Sequence, residues 1–165
     1  MGLKEDQERV ALQERELQLP AVDMKLAWEL GTRLRTLAVE RGLRVVIDVR
    51  RFGQPLFYAA LEGTSPDNPE WVRRKSNVVA RFHRSSYAVG LNLALKNETL
   101  QEKQGLPVCD YATHGGSFPL AVAGTGVVGS ATISGLAQRD DHELVGEALC
   151  GLLGRDYAEL KLAPE

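Results

Sequence analysis

Lys75 is the residue whose chemistry fits its surroundings least. On a helix that the pattern starts at Pro69 or Glu70, seven residues form one apolar arc at about 100° per residue: Trp71, Val72, Val78, Val79, Phe82, Val89 and Leu93. Lys75 falls inside that arc. A lysine so placed snorkels past the helix end, forms a structural ion pair, or points into a pocket to bind a carboxylate or work with a shifted pKa. Arg73, Arg74, Arg81 and Arg84 gather with Asn77 on the opposite side, as a solvated face or as a strip for an anion or partner. His83 lies at the edge of the arc, and Ser85, Ser86 and Tyr87 add hydroxyls one turn later.

The second group centres on His114, which precedes Gly115 and Gly116, where backbone can approach a ligand closely. Its imidazole is suited to ligate iron, to accept a proton, or to hydrogen-bond a turn. His142 reads as a polar group in the capping region of the last helix, beside Asp140 and Asp141. The three histidines form no H-x-x-x-H or H-E-x-x-H pair, so no metal site is written locally. Cys109 and Cys150 are far apart and read as idle thiols. Ser117 lacks the elbow motif of a nucleophile, and no catalytic residue is assigned. The ligand-binding candidates are Lys75, His114, Arg74, Gly115 and Gly116, with Arg84 as a further source of positive charge.

These residues need elements to hold them. Asp6 to Gln18 reads as a weakly amphipathic helix, peripheral to the rest, with Val10 and Leu17 among few apolar anchors. Val22, Leu26, Leu30, Leu34 and Leu37 recur at helical spacing, and Gly42 supplies a stop. LRVVIDV (43–49) and PLFYAAL (55–61) form a hairpin. The loop GTSPDNPE leads into one long helix reaching about Asn97. Val108 to Ala112 is a short strand candidate, followed by strands at 118–123 and 127–134. Asp140 and Glu143 have capping-box spacing and open a closing helix with Leu144, Val145, Ala148, Leu149 and Leu152 on its apolar side. Neighbouring strands joined by short turns give an antiparallel sheet with helices packed on it, an α+β arrangement.

Between Ala123 and Ser130 the chain reads GTGVVG, a literal G-x-G-x-x-G. A dinucleotide site needs a helix to open inside the motif, and here the following VVGSATIS is β-branched and alternating. A hairpin accounts for Gly124 and Gly126. Gly129 marks a bulge or a close backbone approach.

At 165 residues the chain forms one domain over 1–165, with a composition of 44% hydrophobic and 25% charged residues that suits a globular fold. The N-terminus is charged from Lys4 onward, without the apolar segment of a secretory signal, and Asp6 stands where a myristoylation motif wants Ser or Thr. The expected location is the cytoplasm, with no membrane insertion. A net charge of −2 argues against binding nucleic acid by bulk electrostatics.

HGGSFPLAV, the glycine turn and VVGSATISGLAQRDDHELV resemble the C-terminal signature of the haem-degrading-domain superfamily (GlcG/HbpS-like), and more closely its uncharacterised cytosolic branch in bacteria and fungi. The residues that carry the likeness are Gly115, Gly116, Pro119, Gly124, Gly129, Ser134, Gly135, Asp140 and Asp141. A second block adds Trp71 to Lys75, Asn77, Phe82, Ser85 and Ser86. The resemblance spans roughly Leu17 to Leu153 (about 17–153). It implies a five-stranded antiparallel sheet flanked by helices, a profilin-like architecture, and homo-oligomers in which dimers build larger rings or cages. It makes haem the cofactor to test, since some extracellular relatives bind or degrade it, but specifies no ligand residue. Two readings follow: a site for haem or another small carboxylated, anionic ligand, or a non-enzymatic oligomeric scaffold or adaptor. The second draws on a fungal relative associated with the insertion of tail-anchored proteins.

Overall fold

A computed structural model describes residues 2–164. Helix α1 (Leu3–Glu16) leads into α2 (Met24–Glu40), which Asp23 caps by accepting from the Leu26 N–H at 2.8 Å. The hairpin of β1 (Val46–Arg51) and β2 (Gln54–Ala60) follows, then α3 (Asp67–Phe82), α4 (Ser86–Lys96) and the short α5 (Leu100–Gln104). A second hairpin, β3 (Ser117–Val122) and β4 (Gly126–Ser134), precedes α6 (Gln138–Leu153) and α7 (Tyr157–Leu160). The strands pair antiparallel in the order β2-β1-β4-β3.

Alternation along the strands gives the sheet two unlike faces. Ile47, Val49, Phe57, Phe118, Leu120, Ala131 and Ile133 join Leu30, Leu34, Leu144, Val145 and Leu149 of α2 and α6 in the main apolar core. The opposite face carries Asp48, Ser117, Ser130, Thr132 and Ser134, all buried. Helix α3 packs against β4 and buries Val72, Lys75, Ser76, Val78 and Val79. The polar layer is largely hydrogen-bonded within itself. Arg50 grips the fully buried Asp48 with two bonds of 2.7 and 2.8 Å, and the Ser117 and Thr132 hydroxyls meet at 2.8 Å. The lysine that α3 buries on this side is neutralised from beyond the sheet, by Asp141 of α6.

Several expectations are corrected. The sheet has four strands among the described residues, not five, and the missing one is Val108 to Ala112. That segment runs beside α3, whose side chains take its carbonyls: Arg73 donates to the Cys109 carbonyl, Arg74 to Val108 and Asn77 to Asp110. The Ala112 N–H goes to the Arg74 carbonyl. With its backbone groups satisfied this way, the segment has no need of a neighbouring strand. The basic face is therefore largely a set of staples.

The long helix is two helices. His83 takes a left-handed conformation at φ 55°, closes α3, and Ser85 restarts the chain by capping the Ala88 N–H at 3.0 Å. Helix α6 begins at Gln138, before the expected capping box. Asp141 rather than Asp140 reaches back, its Oδ1 accepting from the Leu136 N–H at 2.9 Å. Helix α1 is not a loose appendage: Val10, Gln13 and Leu17 are essentially inaccessible, and Arg139 of α6 holds Asp6 through two hydrogen bonds.

The GTGVVG segment is the β3–β4 turn and the start of β4. Gly124 and Gly126 have φ of +77° and +109°, a region open to glycine. The register slips between Leu120 and Ala121, opposite Gly129 and Val127, so Val128 is the bulged residue. A side chain at Gly129 would meet the Arg50 carbonyl oxygen at 2.1 Å, so a close approach and an adjacent bulge both occur there.

Candidate functional site

The N-terminal half of α3, the loop before β3 and the start of α6 converge on one open pocket of about 260 Å³. Trp71 and Lys75 come from α3, His114 from the loop, and Gln138 and Asp141 from α6. Lys75 and His114, 39 positions apart in the chain, thus share a wall.

The Lys75 side chain passes beneath the loop and is 3% exposed. Its Nζ donates to Asp141 Oδ2 at 2.8 Å and to the Ile133 carbonyl at 3.2 Å. Burial raises the Asp141 carboxyl above the ordinary carboxylate range, and the adjacent Lys75 and the backbone N–H groups pull it back down. Lys75 therefore ties α3 to the β4–α6 corner with its charge already neutralised.

Gly115 and Gly116 meet protein at close range. A Cβ on Gly115 would lie 2.2 Å from the Gln138 carbonyl oxygen, and one on Gly116 2.4 Å from that of Ile133 and 2.8 Å from Lys75 Nζ. Gly116 also has φ +133°. The pair lets the loop slide between β4, α6 and the Lys75 ammonium.

His114 is exposed at the pocket mouth, its ring edge-on to Trp71 with centroids 4.9 Å apart. Partial desolvation and the positive charges of Lys75 and Arg74 lower its pKa, so the neutral imidazole prevails at neutral pH. On Trp71 also rests the Arg74 guanidinium, 4.7 Å from the ring centroid. The Arg74 side chain donates to the Val108 carbonyl at 2.8 and 3.1 Å.

The remaining candidates lie elsewhere. Arg84 pairs with Glu14 of α1, and His83 stacks on Phe52 at the β1–β2 turn. Ser86 accepts from the Ser117 N–H at 3.1 Å, and the Tyr87 hydroxyl donates to Asp6 at 2.8 Å. Sequence reasoning missed Asp141 as the lysine's partner and Trp71 as the shared platform. A lysine on an apolar arc that does not snorkel calls for an acid partner, and the Ser130, Thr132, Ser134 alternation was the available sign of a polar layer.

His142 is not a capping group. It is fully buried against Tyr87 and Phe118. Gln13 Nε2 donates to Glu143 Oε1 and to the Leu160 carbonyl, so its Oε1 is the acceptor for His142 Nε2 at 2.7 Å. The ring proton thus sits on Nε2, and Nδ1 is left buried without a partner. Burial drives this histidine's pKa down to about 3.

Residues 22–150 match the family of the haem-degrading protein HbpS. The chain belongs to this HbpS-like family. A UPF0303 protein of Acidobacterium capsulatum is 62% identical to it over 162 residues, 98% of each chain. One from Burkholderia thailandensis is 59% identical over 163 residues, 99% of each. The Ybr137w crystal structure is similar at a TM-score of 0.85 and 28% identity, covering 93% of this chain and 92% of that one. The complex of PduOC with haem has the same fold, at a TM-score of 0.68 and 15% identity over 79% of this chain and 94% of its own. HbpS itself shares the fold at a TM-score of 0.65 and 18% identity, with coverage of 84% and 94%. Among the described residues no helix is long and apolar enough to cross a membrane, and no three His, Cys, Asp or Glu side chains gather to hold a metal ion.

Proposed function

We propose that this protein is a cytoplasmic homo-oligomer that binds a small carboxylated ligand, haem among the candidates, at the pocket of Trp71, Lys75 and His114. The observation that carries the reading is a neutral, exposed imidazole at the pocket mouth, edge-on to Trp71, whose ring also carries the Arg74 guanidinium at the border with the neighbouring pocket. The residues fit haem at its edge: His114 offers the imidazole and Arg74 a counter-charge for a propionate, while Lys75 positions the loop. A volume of about 260 Å³ is below the ~300–1,000 Å³ of pockets that enclose an organic ligand, so the ligand would be partly solvent-exposed. The reading is one of binding, with no reaction assigned. Titrating the purified protein with haemin should give a shifted Soret band that His114→Ala abolishes. No shift, or one unchanged by that substitution, overturns haem ligation by His114.

The alternative is a non-enzymatic scaffold or adaptor. It is favoured by large exposed side chains, Trp28 and Met24 on α2 and Tyr58 on β2, which are 65%, 54% and 50% exposed. Light scattering that finds a monomer would sink the scaffold.

A further inference from the structure

We propose that Arg74 anchors the carboxylate of a small amphipathic acid whose apolar body lies in the neighbouring pocket between α4, α5 and the 106–114 segment. This names a ligand class for the region read above as a carboxylate site, and it rests on that reading for the role of Arg74 alone. The pocket measures about 370 Å³, within the size range of small-molecule sites at ~300–1,000 Å³. Its wall includes Leu93, Leu100, Leu106, Val108 and Tyr111, with Arg74 and His114 at the end that adjoins Trp71. Val108 is 60% exposed, an apolar side chain left facing water at the rim.

Charge accounting singles out Arg74. Around it, Arg73 is paired with Glu70 and Asp110, Arg84 with Glu14, and Lys75 with Asp141. The acid in this pocket's wall, Glu98, is taken by Lys103 at 2.7 Å. Arg74 makes no ion pair among the described residues. Its Nε and one terminal nitrogen share a single backbone carbonyl, and the half-buried guanidinium sits over the Trp71 ring. A guanidinium fixed by stacking, with donors to spare and an apolar chamber beside it, matches a carboxylate joined to an apolar chain. A medium-chain aliphatic acid has both parts.

Isothermal titration with decanoate below its micelle concentration tests this, with decanamide and acetate as partial ligands. Saturable decanoate binding is expected, at least tenfold weaker for decanamide and for Arg74→Met, with Arg74→Lys recovering part of the loss. Ala94→Trp, on the exposed side of α4 at the pocket wall, should block decanoate without touching Arg74. Acetate should bind at least tenfold more weakly than decanoate. The inference is overturned if decanoate does not bind up to millimolar concentration, if Arg74→Met binds it as tightly as the wild type, or if Ala94→Trp has no effect. A His114-dependent Soret shift without decanoate binding defeats this inference alone. Decanoate binding without a Soret shift defeats only haem ligation.

Discussion

Acidification from about pH 7.5 to about pH 5 should cost this protein stability through one side chain, His142, and the cost follows from linkage. In the unfolded chain the imidazole takes a proton near its ordinary pKa of 6.5, but in the fold that value is driven down to about 3. The structure gives the reason: Nε2–H is committed to Gln13, and protonation would place a second N–H at Nδ1, where no acceptor exists. Because the folded pKa is depressed for a base, the fold is at its full stability above pH 6.5 and loses it as the pH falls toward 3. The slope is about 1.4 kcal/mol per pH unit, which makes about 2 kcal/mol at pH 5. Set against a total of roughly 5–15 kcal/mol for a domain, that is measurable. Urea unfolding of the wild type and of His142→Gln, at both pH values, isolates the contribution. The other histidines are common to both proteins and cancel. Asp6 is held below its ordinary 3.8, because hydrogen bonds from Arg139 and Tyr87 outweigh its burial, so it loses its pairing only at lower pH. The wild type should lose about 2 kcal/mol more than the variant. An equal loss, or an NMR titration of His142 near 6.5, would refute the reasoning.

The Lys75–Asp141 pair should behave as a buried ion pair. Lys75→Met alone should cost about 3–5 kcal/mol by stranding a buried carboxylate, and adding Asp141→Asn, which can still accept from the Leu136 N–H, should recover part of it in a denaturation cycle. Additive losses would count against direct coupling. Two glycines with positive φ should respond differently to alanine. Gly124→Ala, with open space around it, should lower stability by only about 1–2 kcal/mol, whereas Gly116→Ala, blocked by the Ile133 carbonyl and Lys75, should cost more or prevent folding. Equal melting temperatures for the two variants would contradict that packing account.

Much of the local structure was legible because it is written in short periods. The apolar spacing of α2, the two hairpins, and the β-branched run that rules out a nucleotide loop at GTGVVG all depend on near neighbours. The break between α3 and α4 had a local sign, Ser85, but the helical arc continued across it and outweighed that sign. Helix α1 looked peripheral because its apolar anchors are few and the rest of what holds it is polar: Asp6, Gln13 and Glu14 reach Arg139, His142 and Arg84 far along the chain. At the site, Lys75 stood out by being misplaced and His114 by its glycines. The arginines of α3 were harder to read, because whether a guanidinium is a staple or a free charge depends on which carbonyls and carboxylates the fold brings to it.

By itself, the order of residues determined the α+β class, helix α2 and the four strands that form, since those follow from periodicity and turn chemistry, and its motifs carried the resemblance to the HbpS-like family. Only the tertiary structure decided which charges are spent. It turned a strand candidate into a segment pinned by Arg73, Arg74 and Asn77, gave Lys75 to Asp141, sealed His142 in the core, and left Arg74 beside an apolar chamber. The physical reason is that periodicity acts between neighbours, whereas burial and charge pairing are settled among residues tens of positions apart.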